Sequence, residues 1–263
     1  KLYRARTDED SLHWEEFQPW QMAVVPGVSF VAMLSYDLAI AADEDDTVLW
    51  SANWYGGLSR SYDWGETWEN ILWSDSSYNV GDSGVIVDTV IYEDHDTIQA
   101  FVIENGGYHH RLFYAVAVDT ASDPPIIFAG TASGIFAIDD TLWRRSRPDS
   151  ATGLTGSWCV ALAVQYLDTG ERIVWAASRA VPDNAGEIDG ICYSTDDGAT
   201  WDTLATGVMV WNFAFGCGNV AFFACEQGLY RSEIQWSGDS IYPASFEKIA
   251  LHDAETGYRL PLD

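Results

Sequence analysis

Positive charge is scarce in this chain. Its 263 residues carry 13 Lys+Arg against 40 Asp+Glu, a formal net charge of −27. A polyanionic duplex would be repelled before any base could be read, which excludes nucleic-acid binding. Lys1 and Lys248 are the only lysines, a composition that fits an exported or salt-adapted protein. Cysteine is also rare: Cys159, Cys192, Cys217 and Cys225 show no CxxC spacing, so the usual structural zinc site is not supported and buried thiols are expected. No charge-free apolar run reaches about 18 residues, so no transmembrane helix is expected. No window of 11 residues holds a 3.6-residue period, so helices should be few and short.

Apolar material is plentiful, at 48% hydrophobic and 14% aromatic residues, so the acids must coat a packed interior. The opening Lys1-Leu2-Tyr3-Arg4 matches neither a start methionine nor a signal-peptide pattern. The expectation is a processed or excised piece of an exported protein, placed extracellularly, at the cell surface or in a periplasm.

An internal repeat organises the chain. Ser61-Tyr62-Asp63-Trp64-Gly65-Glu66-Thr67-Trp68 and Ser194-Thr195-Asp196-Asp197-Gly198-Ala199-Thr200-Trp201 share the pattern S-x-D-x-G-x-T-W. Looser copies keep the frame at Leu2–Ala5 with Trp14, at Gly134–Ala137 with Trp143, and at Gly228–Ser232 with Phe246. The five aromatic anchors recur at roughly 45–75 residues, near the ~40–50 of blade repeats apart from one long interval. Paired β-rich runs precede four anchors: Val28–Ser35 with Thr47–Trp54, Leu112–Val118 with Ile126–Gly130, Val160–Val164 with Ile173–Ala177, and Val208–Phe215 with Val220–Cys225. A fifth pair, Val85–Tyr92 with Thr97–Ile103, lies in the long interval.

Four-stranded units of this size expose an apolar face that radial stacking covers. The expected fold is all-β, a single-domain β-propeller over residues 1–263, best read as six blades, with five or seven as alternatives. The ragged ends suggest closure by pairing the termini, or by strand addition from another chain.

At its two octets the sequence resembles the Asp-box or BNR repeat β-propellers, which include sialidases, sortilin-type ectodomains and photosystem assembly factors. The resemblance implies the fold; function is argued separately, because one fold hosts many activities. Elementary chemistry gives the box a structural task. Asp63 and Asp196 can accept backbone N–H bonds, Gly65 and Gly198 can take positive φ, Thr67 and Thr200 suit local hydroxyl bonding, and Trp68 and Trp201 can bury a ring between blades, with Ser61 and Ser194 opening the turn.

A sialidase would need three arginines on a substrate carboxylate, a Tyr–Glu pair and an Asp acid. Arg4, Arg60 and Arg231 recur at one frame position, but near the box, and are read as surface ion pairs or stems packed on apolar surface. Arg144, Arg145 and Arg147 read as a solvated strand edge. Asp43–Asp46 and Glu93–Asp96 read as solvated turns, lacking an EF-hand pattern. Adjacent His109 and His110 would point to opposite strand faces. No G-x-S-x-G elbow or phosphate loop occurs. Trp20, Trp54, Trp73, Trp158 and Trp236 fall near strand ends or loops, where an indole can stack on a sugar or anchor a protein, with inter-blade packing as their other fate. The reading is a non-catalytic module, without cofactor or metal, that binds another protein or a glycan. The alternative is a BNR-type glycoside hydrolase.

Overall fold

The computed structural model describes residues 2–7, 12–17, 34–42, 47–54, 57–71, 85–90, 98–103, 112–139, 142–148, 152–181, 184, 186–238 and 240–250. All regular elements among them are β-strands, and the sheet pairs are antiparallel. Two short hairpins, β1 (Leu2–Thr7) with β2 (Leu12–Phe17) and β7 (Val85–Val90) with β8 (Ile98–Ile103), stand as two-stranded sheets.

Three sheets are four-stranded meanders. The first runs β3 (Leu34–Ala42), β4 (Thr47–Trp54), β5 (Gly57–Ser61), β6 (Glu69–Ile71). Another runs β9 (Phe113–Asp119), β10 (Ile126–Thr131), β11 (Gly134–Asp139), β12 (Leu142–Ser146). The next runs β13 (Trp158–Tyr166), β14 (Arg172–Arg179), β15 (Gly190–Ser194), β16 (Asp202–Thr206). The last sheet has five strands: β17 (Val210–Gly216), β18 (Val220–Cys225), β19 (Gly228–Ser237) and β20 (Ser240–Pro243), with β21 (Glu247–Lys248) also on β19.

These are propeller-type blades, and the all-β class expected from the repeats is the class observed. Most paired runs became the strands expected of them. The first inner strand is described as Leu34–Ala42, overlapping the expected Val28–Ser35 at Leu34 and Ser35; positions 28–33 lie outside the described residues. Its later half, beyond the expected run, alternates large Leu38 and Ile40 with small Ala39 and Ala41, a period-2 pattern suited to a strand.

The chain divides into two compact units, Lys1–Ala132 with Ile138–Arg144, and Ser133–Ala137 with Arg145–Asp263. In the second, the sheets β13–β16 and β17–β21 share an apolar core containing Ile173, Trp175, Ile191, Phe213, Phe223 and Ile234. Trp175 is its centre. The ring is fully buried, meets Phe223 edge-on at 5.2 Å, and donates its indole N–H to the equally buried Gln165 Oε1 at 2.9 Å. An indole buries well only when its polar edge finds an acceptor. All four cysteines are free thiols: Cys159, Cys192 and Cys225 are buried, whereas Cys217 is exposed on the turn between β17 and β18. Burial pushes the Cys225 thiol up to about 11.

Candidate functional site

The two octets are built alike. Ser61 Oγ donates to Asp63 Oδ1 (2.8 Å) and accepts Gly65 N–H (2.8 Å), while Asp63 accepts the Thr67 N–H (2.7 Å) and hydroxyl (2.6 Å). In the second octet Ser194 Oγ donates to Asp196 Oδ1 (2.7 Å) and accepts Gly198 N–H (2.9 Å), and Asp196 accepts the Thr200 N–H (2.9 Å) and hydroxyl (2.6 Å). Gly65 and Gly198 have φ of 85° and 76°, the left-handed region that glycine enters without a Cβ penalty. Both oxygens of Asp63 and of Asp196 are turned inward to their own loops, whereas Asp197 pairs outward with Arg172 at 2.6 Å.

The hydrogen bonds have an electrostatic consequence. Thr67, through its hydroxyl and then its N–H, holds the Asp63 carboxyl down at about 2. Burial pushes the Asp196 carboxyl up, but bonds from Thr200 and Ser194 outweigh it and the net shift is downward. The two tryptophans differ. Trp201 is 4% exposed, and its backbone N–H donates to Thr152 O. Trp68 is half-buried, its indole N–H on Gly65 O at 3.1 Å.

Other sequence candidates separate. Arg60 lies over Trp50 and Tyr62, at 5.9 and 5.1 Å, and Arg231 pairs with Glu247 at 3.5 Å. Of the arginines read as a solvated edge, Arg147 is exposed just past the edge strand β12, as expected, whereas Arg144 and Arg145 are partly covered. Arg145 donates to Ser133 O (3.0 Å) and covers the Phe136 ring, and Arg144 pairs with Asp139 (3.5 Å), because the guanidiniums fold back onto their own sheet. Trp236 is exposed. The positions Trp20, Trp73, His109, His110, 43–46 and 93–96 lie outside the described residues.

Sequence reasoning missed a second recurring feature. Each of the four inner strands carries one extra residue near its start, so that two residues oppose one on the partner strand. The register jumps from Ser35 to Asp37, passes over Tyr114 on β9, and jumps from Cys159 to Ala161 and from Val210 to Asn212. Bulges of this kind re-aim a side chain out of the ladder. The residues thus singled out are Tyr36, Tyr114, Val160 and Trp211, three of them aromatic.

In the first unit two bulge aromatics gather with Trp54. Tyr36, Trp54 and Tyr114 form a closed triad with ring centroids 5.4–5.8 Å apart, and Tyr36 remains 51% exposed. A buried polar network ties together β3, β4 and β5, the first two of which carry Tyr36 and Trp54. Buried Asn53 accepts the Ser35 and Ser51 hydroxyls at 2.7 and 2.9 Å, and donates to Ser51 O, Gly57 O and Ser59 Oγ. Beside it, Asp37 Oδ2 accepts Val116 N–H at 3.0 Å and Oδ1 accepts Leu38 N–H at 2.9 Å, tying β3 to β9. Burial raises the Asp37 carboxyl above its ordinary value despite those two bonds. No signal short of strand register could have marked Tyr36 or Tyr114.

In the second unit the bulge residue Trp211 is 56% exposed, and the Arg179 guanidinium lies over its ring with Cζ 4.1 Å from the centroid. Among the described residues, no group of three or more His, Cys, Asp or Glu is arranged to hold a metal. No helix of the described residues is long and apolar enough to cross a membrane.

No family model matches the chain, and no curated protein matches it. Solved structures do. An ancestral GH74 enzyme is 14% identical, with a TM-score of 0.46, over 84% of this chain and 33% of its own. The extracellular domain of a putative one-component system from B. thetaiotaomicron is 10% identical, with a TM-score of 0.38, over 86% and 29%. An α-L-arabinanase mutant from Cellvibrio cellulosa is 13% identical, with a TM-score of 0.30, over 82% and 96%. The chain spans about a third of the length of the first two.

Proposed function

We propose that this chain is a glycan-binding β-propeller of the Asp-box type, belonging to an exported protein and taking a sugar on the aromatic triad of its first unit. The carrying observation is the Tyr36–Trp54–Tyr114 cluster, partly in solvent, two of whose rings stand on strands tied together by the fully bonded Asn53 network. Aromatic side chains with one apolar face and a polar tip suit the C–H-rich faces and hydroxyl rims of sugars. Rings already packed on one another before a ligand arrives lower the ordering cost of binding. The octets, spent on their own turns, belong to the scaffold.

The test is an oligosaccharide array that includes arabinan fragments, followed by calorimetry on any hit. A Tyr36→Ala/Tyr114→Ala variant should weaken binding by about tenfold or more, since truncating a central aromatic anchor costs at least ~1–2 kcal/mol. An unchanged dissociation constant, or no glycan bound by the parent chain, would sink the reading.

A second reading, a glycoside hydrolase working beside the same triad, has Asp37 in its favour. Burial shifts its carboxyl towards the protonated form, which is the direction a general acid requires. Against it, both Asp37 oxygens are already taken by backbone N–H groups. Release of reducing ends from a bound glycan, abolished in Asp37→Asn, would decide for hydrolysis.

A further inference from the structure

The second unit holds a different kind of site. Trp158 and Arg179 are direct partners in the β13–β14 register, so their side chains stand on one face of the sheet. Arg179 Nε and Nη2 and Trp158 Nε1 are buried without a hydrogen-bond acceptor. Unmet buried donors, one of them charged, are costly, and a folded protein keeps them where something else supplies the acceptor.

The lack of a carboxylate partner stands out in a chain with 40 acids. Among the described residues Arg172 and Arg231 are ion-paired, but Arg179 is not. Asp183 lies outside the described residues, and the next two acids along the chain, Glu187 and Asp189, are engaged elsewhere. Glu187 accepts Ser157 N–H (3.0 Å), Ser157 hydroxyl (2.5 Å), Val181 N–H (2.9 Å) and the Asn184 amide, and Asp189 accepts Ala180 N–H (2.9 Å). Among the described residues, the guanidinium stacks on the Trp211 ring.

A planar anion satisfies two parallel guanidinium N–H groups at once, and a ring attached to it would lie on the exposed indole. We infer that this face binds a hexuronate residue, its carboxylate on Arg179 with the Trp158 N–H, and its pyranose ring on Trp211. The inference rests on the glycan-binding reading and names the sugar class for a separate place on the chain.

The test uses the full chain, titrated with glucuronate, glucose and acetate, and followed by tryptophan fluorescence and calorimetry. Glucuronate should bind at least about tenfold more tightly than glucose, which lacks the charge, and than acetate, which lacks the ring. Arg179→Gln should remove that preference. Trp211→Ala should weaken glucuronate about tenfold while leaving acetate unchanged, and it covers the case in which the arginine variant fails to fold. Equal binding of glucose and glucuronate, no glucuronate binding, or variants that bind like the parent would overturn the inference. The Tyr36→Ala/Tyr114→Ala chain separates the two claims. Glucuronate binding kept there supports this site, and it does so even if no neutral glycan binds the parent; neutral glycan binding without glucuronate binding removes this site and leaves the other.

Discussion

Asp63 and Asp196 do their work within four residues of themselves, which makes their effect on stability a matter of sign. Because Thr67 holds the Asp63 carboxyl at about 2, below its ordinary 3.8, its bonds contribute fully above the unfolded value and are lost as pH falls towards 2. Asp196 shifts in the same direction. Thermal melts between pH 4 and pH 2 should therefore fall more steeply for the parent than for an Asp63→Asn/Asp196→Asn variant. Parallel curves would show that the octets are not where acid acts. Gly153 illustrates a further local constraint: at φ +79°, a Cβ there would stand 2.0 Å from Trp201 O, so the second octet fixes the residue identity of the preceding loop.

At the scale of strands and sheets, Trp175 is the sharpest case, since it belongs to β14 but meets Phe213 and Phe223 of the next sheet. Trp175→Ala should cost about 3–5 kcal/mol and lower the melting temperature by roughly 10 °C. A loss below 1 kcal/mol would mean that the two sheets hold together by other contacts. The strands were legible because β-branched and aromatic runs with polar turns are local signals, and the octets because their donors and acceptors lie at i, i+2, i+4 and i+6. Tyr36, Tyr114 and Trp211 were not legible as a set. What unites them is a one-residue slip against a partner strand, and Val160 at the fourth bulge hides the aromatic pattern. Arg179 was silent for a related reason: its importance lies in bonds that it does not make.

For the molecule as a whole, a net charge of −27 is a standing cost of compactness. Raising sodium chloride from 10 mM to 0.5 M shrinks the screening length from about 30 Å to a few ångströms. The melting temperature should rise by several degrees over that range. A flat response would mean that the acids are already neutralised within the fold. The same field bears on ligands, because an anion approaching Arg179 must cross a negative surface, and its affinity should increase with moderate salt before local competition sets in.

The unequal burial of the four thiols reaches beyond stability. Cys217 sits on a glycine-flanked turn in water, whereas Cys159, Cys192 and Cys225 are closed off. A maleimide dye offered to the native protein would mark one address, close to the β17 strand that carries Trp211, and so provides a built-in reporter for events there. Left without reductant, the same sulfur would couple two copies through this turn.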